Sequence, residues 1–244
     1  MSREITSYHN FAYYYNQLIP NEFYQEYARK INSYGDFYNI LDLACGSGTL
    51  CFLLKKDFNN VTGLDLSQEM LMIAQDSNIK LKKGVQFINQ DLNFLNLSNE
   101  TYDLITCTLD SLNYIDSEKS ILDIIKKVSE SLVDDGLFCF DVLTQFYIDE
   151  IVFDYYQCEE LNDFEYVWQV TKVADDIIKH DLQIITDEAK YEEEHLQFIY
   201  SEETIEKYLE SNNFIIKKKE YEYNELNDKQ ASRVYYVCQR RERE

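Results

Sequence analysis

A glycine-bearing turn near residue 45 combines residue types that could bind a small ligand. An apolar run at residues 40–43 contains one acid, Asp42, and leads into a series of small residues, Ala44, Cys45, Gly46 and Gly48. Glycines let a ligand approach the backbone where a side chain would block it. Because open α/β sheets bind ligands at the carboxyl ends of their strands, this turn is predicted to hold a ligand.

Phosphate ligands fit this turn poorly. A nucleoside triphosphate loop requires Gly-x4-Gly-Lys-Ser/Thr, and the chain has no Lys or Arg between Ile31 and Leu54. A dinucleotide turn requires Gly-x-Gly-x-x-Gly/Ala, but its third position here is Cys51. The charge of Asp42 would also oppose a pyrophosphate, so the dinucleotide interpretation is weak.

A cationic ligand fits the same turn better. S-adenosylmethionine has no phosphate and carries an ammonium and a sulfonium, so an acid such as Asp42 at the strand end attracts it. The residues of the turn therefore favour this cofactor over the two phosphate-bearing ligands.

Residues 42–48, Asp-Leu-Ala-Cys-Gly-Ser-Gly, resemble the first motif of the class I S-adenosylmethionine-dependent methyltransferases, specifically their small-molecule branch. Ala44 replaces the first glycine of the commoner motif, and its small side chain still permits a tight turn. The resemblance continues through four motifs over about residues 40–145. It implies a Rossmann-like fold and S-adenosylmethionine as the cofactor.

The second and third motifs of the resemblance supply further cofactor contacts. Asp65 lies 23 residues beyond Asp42, close to the roughly 20-residue gap of a βαβ unit, and the resemblance implies that it binds the ribose hydroxyls. Met70 is implied to pack near the adenine, and Asp91 to accept from the adenine amino group. The neighbours Leu66 and Leu92 are included in the predicted cofactor site.

The fourth motif, residues 102–111, resembles the strand end that faces both cofactor and acceptor. Thr108 and Leu109 are predicted to contact the cofactor, and Asp110 is a catalytic candidate. In this branch a tyrosine near the N-terminus often reaches the methionine moiety, which makes Tyr14 and Tyr15 the other catalytic candidates. No catalytic base is evident in the sequence.

The predicted reaction is transfer of the methyl group to a small-molecule acceptor by direct in-line displacement. The methyl group on a sulfonium is already electrophilic, so the enzyme mainly has to hold a nucleophile in line with it in a dry pocket. Because a hydroxyl needs a stronger base than an amine does, the absence of an evident base favours an amine slightly. The alternative is a non-catalytic module that binds S-adenosylmethionine or S-adenosylhomocysteine as a sensor or an interaction partner.

The elements around these motifs alternate between strand and helix. Apolar strand-like runs are predicted at residues 40–43, 61–64, 85–88, 104–108 and 137–142, with helices at about 49–56, 67–76 and 118–132, the last ended by Gly136. Such alternation predicts a doubly wound, mostly parallel sheet with helices on both faces. A helix after Ser201 and strands at 214–223 and 233–239 bring the predicted sheet to seven strands.

A segment with a different sequence pattern separates the two parts of this core. In residues 166–173, 177–185 and 190–199, apolar and polar residues alternate with period two. Asp175-Asp176 is predicted to form a hairpin turn between the first two of these runs. We expect a methyltransferase core at 1–150 and 200–244, with helices at 10–34 covering the cofactor. Residues 151–199 are expected to form a small antiparallel β insertion that acts as a lid.

Composition limits the classes of partner. The 244 residues carry 23 Lys and Arg against 45 Asp and Glu, a net charge of −22 that repels nucleic acid. The apolar runs are too short to cross a membrane, and no targeting segment is evident at the N-terminus. We therefore expect a cytoplasmic monomer or homodimer that binds neither nucleic acid nor membrane. The scattered His9, His180 and His195 predict no metal site.

Overall fold

The computed structural model describes residues 7–152, 155–161, 163–221 and 230–242, with side chains described from residue 12 onward. Six α-helices lie within these ranges: α1 Ser7–Leu18, α2 Asn21–Asn32, α3 Thr49–Leu54, α4 Gln68–Leu81, α5 Glu118–Ser131 and α6 Glu202–Ser211. Pro20 separates α1 from α2 and occupies the N-cap of α2, where its missing N–H costs no helical bond. None of the described helices is long and apolar enough to cross a membrane.

Eleven strands are described: β1 Asn39–Leu43, β2 Asn60–Asp65, β3 Gln86–Asn89, β4 Tyr102–Cys107, β5 Leu132–Leu143, β6 Tyr156–Leu161, β7 Phe164–Ala174, β8 Ile177–Ile185, β9 Lys190–Phe198, β10 Phe214–Tyr221 and β11 Arg233–Arg240. Seven of them form one sheet in the order β10-β11-β5-β4-β1-β2-β3. β1 to β5 pair in parallel, and β10 and β11 are antiparallel. The predicted doubly wound, mostly parallel seven-stranded sheet is confirmed.

Helices cover both faces of this sheet because its strands are apolar on both sides. In β5, Phe138 and Phe140 pack with the α5 and α6 side, while Cys139 between them packs with the α2 and α3 side. This alternation follows the two-residue period of a strand, and such two-sided burial is typical of parallel sheets. The sheet order reverses between β1 and β4, which opens a crevice at their carboxyl ends.

The remaining four strands form a separate antiparallel sheet in the order β6-β7-β8-β9, called here the small sheet. Asp175 and Asp176 form the two-residue connection between β7 and β8, as the sequence predicted. Asn113 ties this sheet to the core, because its amide donates to the carbonyl of Phe198 at 2.8 Å while its oxygen accepts from the Leu143 N–H at 3.0 Å.

One sequence-based expectation about these elements was wrong, and one strand was not predicted. Gly136 does not end α5: the helix stops at Ser131, the chain turns at once into β5, and Gly136 lies inside that strand. Strand β6 was missed because it is an edge strand with exposed acids, Glu159 and Glu160, and lacks apolar alternation. Polar edge strands discourage edge-to-edge pairing, so hydrophobic patterns do not reveal them.

Candidate cofactor and acceptor site

A cavity of about 920 Å³ opens at the carboxyl ends of β1, β2 and β4. Its wall comes from both sheets and from α1, so that the glycine turn lies at one end and the small sheet at the other. Cavities of up to about 1,000 Å³ are typical of small-molecule and cofactor sites. We call the two regions the turn end and the small-sheet end.

The glycine turn is held in an unusual backbone conformation at the wall of this cavity. Ala44 and Gly46 both have a φ of 53°, in the left-handed region. The Cys45 N–H donates to the Leu64 carbonyl at 2.9 Å, which ties the turn to β2. A Cβ placed on Gly46 would meet no atom within 4 Å, so the glycine leaves open space beside the cavity.

Gly48 has a different role from the one the sequence suggested. It does not line the cavity, and a Cβ at this position would lie 2.8 Å from the ring of Phe87. Gly48 is the N-cap residue of α3 and has a φ of 80°. Gly48 therefore permits close packing of the turn against β3, and the structure does not bring it to the candidate cofactor site.

Asp65 lies at the end of β2 with its carboxylate fixed by two backbone groups. Oδ2 accepts from the Gly46 N–H at 2.7 Å and Oδ1 accepts from the Ser67 N–H at 2.8 Å. Burial raises the pKa of this carboxyl, and the backbone N–H groups of Ser67, Gly46 and Leu66 oppose that shift. Because each carboxylate oxygen has a second lone pair, Asp65 can bind a ligand while keeping both bonds.

Asp42 is more deeply buried than the prediction of a strand-end acid implied, with an exposed fraction of 2%. Its Oδ1 accepts from the Thr106 hydroxyl at 2.7 Å, and the Cys51 thiol donates to Oδ2 at 3.4 Å. Burial raises the pKa of Asp42 to about 6, against the effect of these bonds. Asp42 still borders the cavity and adds negative charge beneath the turn.

The other predicted cofactor residues surround the turn end. Asp91 caps the short helix Leu92–Phe94, where its Oδ1 accepts from the backbone and side chain of Asn93 at 2.8 and 3.0 Å. Both of these described bonds fall on Oδ1, so Oδ2 can serve a ligand. The wall here also includes Cys45, Leu66, Met70 and Leu92.

The segment after β4 brings the predicted residues Thr108, Leu109 and Asp110 to the same cavity. Leu109 and Asp110 have φ values of 58° and 50°, a strained conformation for two successive non-glycine residues. The buried carboxylate of Asp141 stabilises this conformation by accepting from the Leu109 and Asp110 N–H groups, both at 2.8 Å. Burial raises the pKa of Asp141, and its partner Arg233 at 3.0 Å opposes the shift.

Asp110 is the centre of a side-chain network that sequence reasoning missed. Arg233 donates to its Oδ1, and Gln197 of β9 donates to its Oδ2 at 2.7 Å. The oxygen of Gln197 lies 2.8 Å from His180 Nε2, and the Trp168 indole donates to His180 Nδ1 at 3.1 Å. Burial lowers the pKa of His180, so the ring is neutral at neutral pH.

The two candidate tyrosines are separated by the structure. Tyr15 lines the cavity, and burial raises its pKa to about 12, with the charge of Asp110 adding to the shift. Tyr14 does not line the cavity; its ring packs 4.8 Å from Phe164. The side chain of Tyr15 is therefore a neutral phenol near neutral pH, and Tyr14 is a packing residue. The helix that carries both tyrosines, α1, is joined to the glycine turn by a hydrogen bond between Asn16 and Ser47.

A histidine and a glutamate of β9 form a second polar group at the small-sheet end. His195 Nε2 lies 3.0 Å from Glu193 Oε2, and the imidazole meets the Tyr114 ring edge-on at 6.0 Å between centroids. All three residues line the cavity. The sequence did contain a signal for this group, because Glu193, His195 and Gln197 alternate and must share one face of β9.

Acidic residues dominate the charged lining of the cavity. Among the described residues, the wall has one arginine, Arg233, against six carboxylates: Asp42, Asp65, Glu69, Asp91, Asp110 and Glu193. Such a lining attracts cations and repels phosphates. No cluster of three or more potential metal ligands occurs in the part of the chain that the structure describes.

Comparison with known proteins places the chain among methyltransferases. A family profile described as a methyltransferase domain matches residues 40–136. The Bacillus subtilis (strain 168) protein YqeM, which is named as a methyltransferase, is 28% identical over 240 residues, covering 96% of this chain and 97% of YqeM.

Two solved structures extend this comparison. A Clostridium acetobutylicum S-adenosylmethionine-dependent methyltransferase is 28% identical, with a TM-score of 0.83 over 96% of this chain and 99% of that one. The fold is also that of CalS10, an amino pentose methyltransferase of Micromonospora echinaspora solved with S-adenosylmethionine bound. It is 17% identical, with a TM-score of 0.72 over 98% and 99% of the two chains.

Proposed function

We propose that this chain, which belongs to the class I S-adenosylmethionine-dependent methyltransferases, methylates the amino group of a small organic acceptor by direct in-line displacement. The cofactor class follows from the family. The acceptor class, the mechanism and the residue roles below are the proposal.

The turn end fits S-adenosylmethionine. Gly46 leaves the space that a ligand needs beside the backbone, and Asp65 retains lone pairs for two ribose hydroxyls. Asp91 Oδ2 suits the adenine amino group, and the carboxylates around the turn suit a cation. When bound, this cofactor supplies an electrophilic methyl group, so the protein needs no covalent intermediate of its own.

The small-sheet end would orient the acceptor and take its proton. Tyr15, whose pKa is raised to about 12, acts as a hydrogen-bond donor or a wall and not as a base near neutral pH. Asp110 is already engaged by Arg233 and Gln197. We assign proton acceptance to His195, because its imidazole lines the cavity and Glu193 Oε2, 3.0 Å from Nε2, would stabilise the resulting cation.

One observation carries the proposal: a single cavity joins the turn end to the small-sheet end and has an excess of carboxylates. That charge favours an acceptor that is neutral or cationic, such as an amine, over an acidic one. The small sheet would then serve as the predicted lid, since its aromatic residues Tyr155, Tyr166 and Trp168 form part of the wall. Aromatic walls exclude water from such a site.

The test is a turnover assay with matched acceptors. The protein is incubated with S-adenosylmethionine and pools of amines or of the alcohols that correspond to them, and S-adenosylhomocysteine formation is measured. We expect an amine pool to stimulate turnover, and the Asp65→Ala variant to lose that stimulation together with cofactor affinity. Turnover with alcohols and none with amines would contradict the amine assignment.

A further inference from the structure

The network around Asp110 has only one consistent arrangement of hydrogens. A tryptophan indole N–H can donate but cannot accept, so His180 Nδ1 must accept from Trp168. The proton of the neutral imidazole therefore sits on Nε2 and is donated to the oxygen of Gln197, 2.8 Å away. The amide nitrogen of Gln197 then points its hydrogens at Asp110 Oδ2, at 2.7 Å.

This arrangement presents both oxygens of Asp110 as hydrogen-bond acceptors. Its Oδ2 accepts from Gln197, and its Oδ1 accepts from the Arg233 guanidinium. Arg233 does not cancel the local charge, because it also pairs with Asp141 at 3.0 Å. Two carboxylates and one guanidinium leave one net negative charge at the wall of the cavity.

We propose that Asp110 is a fixed anionic anchor for the amino group of the acceptor, and that Gln197 and His180 are positioning residues of the small sheet that act through it. This inference rests on the proposed function. Each Asp110 oxygen has a lone pair that the network leaves for N–H donors of a ligand. The network spans 87 residues of sequence from Asp110 to Gln197, so the small sheet and the motif after β4 share one recognition element.

The anchor defines the acceptor as an amine without an acidic group beside its nitrogen. An ammonium or amine donates two or three hydrogens to a carboxylate, whereas an alcohol donates one and a carboxylic acid is repelled. Because the proton passes to His195, the N–H bond of the ammonium breaks, its electron pair stays on nitrogen, and the proton bonds to the imidazole. The resulting lone pair is the nucleophile.

The first test is the tautomer of His180. The chain has only three histidines, so nitrogen-15 NMR can assign each ring by single substitution. We expect His180 to carry its proton on Nε2 in the protein and to keep it there in Trp168→Phe, because Gln197 still presents its oxygen to Nε2. A mixture of tautomers is expected only in the Trp168→Phe, Gln197→Leu double variant, which removes both partners of the ring. A proton on Nδ1 in the unaltered protein would overturn the directed network.

The second test measures recognition with defined probes. Benzylammonium and its uncharged counterpart benzyl alcohol are titrated into protein saturated with S-adenosylhomocysteine, and fluorescence of the single tryptophan, Trp168, is followed. Benzylammonium should bind at least about tenfold more tightly than benzyl alcohol. Asp110→Asn should abolish that preference, and Gln197→Leu should reduce it.

Both variants should bind S-adenosylhomocysteine as the unaltered protein does, which calorimetry checks. If the unaltered protein does not bind S-adenosylhomocysteine, the proposed function is contradicted, whatever affinities the two probes show. Intact S-adenosylhomocysteine binding with equal affinity for the two probes, with no benzylammonium binding, or with a preference unchanged in Asp110→Asn would overturn the anchor alone. Asparagine tolerates the left-handed backbone of residue 110, so this variant should fold.

Discussion

The two ends of the cavity are built in different ways. At the turn end, backbone groups dominate: the Gly46 and Ser67 N–H groups hold Asp65, and left-handed backbone shapes the turn. At the small-sheet end, side chains hold one another, and Asp110 meets Gln197 and Arg233 from 87 and 123 residues away. A backbone-defined site tolerates few residue types, whereas a side-chain network can be rebuilt for another ligand without altering the fold.

The largest effect should come from the turn itself. Gly46→Val would place a branched side chain beside the cavity at a φ of 53°, and we expect cofactor affinity to fall by at least about 100-fold. Gly84→Val is the matched control, because Gly84 also has a positive φ, 69°, and open space, but does not line the cavity. Calorimetry with S-adenosylhomocysteine should show normal affinity in the control; equal losses in both variants would mean that backbone strain alone is responsible.

The small-sheet end should fail in catalysis rather than in cofactor binding. His195→Gln removes the assigned proton acceptor, and kcat should drop roughly 100-fold with unchanged S-adenosylhomocysteine affinity. Glu193→Gln keeps the imidazole and should lose less. Steady-state kinetics with an amine acceptor gives both values, and a fall in cofactor affinity equal to the fall in kcat would erase the contrast between the ends.

Comparing two carboxylates, Asp65 and Asp103, distinguishes a role in ligand binding from a role in stability. Asp65 and Asp103 each accept two backbone N–H bonds, but Asp103 does so at the amino-terminal ends of β1 and β4, from Tyr38 and Asn39. Asp65→Asn and Asp103→Asn should each cost about 1–2 kcal/mol of unfolding free energy. Only Asp65→Asn should weaken cofactor binding, by about tenfold or more. Equal affinities in the two variants would remove Asp65 from the binding site.

The buried acid beneath the turn should affect the pH dependence of stability. The pKa of Asp42 rises from 3.8 to about 6, so between these values the folded state binds more protons than the unfolded state. The free energy of unfolding should therefore fall as pH rises through this window. Asp42→Asn should remove about 3 kcal/mol of that fall.

Urea unfolding across this pH range measures the Asp42 effect. Asp123→Asn, which alters an exposed carboxylate of α5, serves as the control and should leave the pH dependence unchanged. An Asp42→Asn curve parallel to that of the unaltered protein would show that Asp42 does not titrate in this window.

The predictable part of the molecule is the part encoded locally. The alternation of apolar runs and helices gave the parallel sheet, and the spacing from Asp42 to Asp65 brought two acids to neighbouring strand ends. Gly48 shows the limit of that reasoning, because a glycine in a binding motif can equally serve packing against a side chain from another strand, here Phe87. Spacing alone does not distinguish the two roles.

The small-sheet end could not be predicted because the side chains that form it meet only in the folded chain. Nothing near Arg233 in the sequence indicates that it pairs with Asp110 and Asp141. The left-handed backbone of Leu109 and Asp110 is likewise set by Asp141 on the adjacent strand. The alternating Glu193, His195 and Gln197 marked one face of β9, but not the cavity that this face lines.

The most direct test of the two-ended cavity is a crystal structure of the protein with S-adenosylhomocysteine. We predict that both ribose hydroxyls contact the Asp65 carboxylate, that the adenine amino group contacts Asp91, and that the sulfur faces the space between Tyr15, Asp110 and His195. A ligand bound outside this cavity, or one whose ribose does not contact Asp65, would contradict the account.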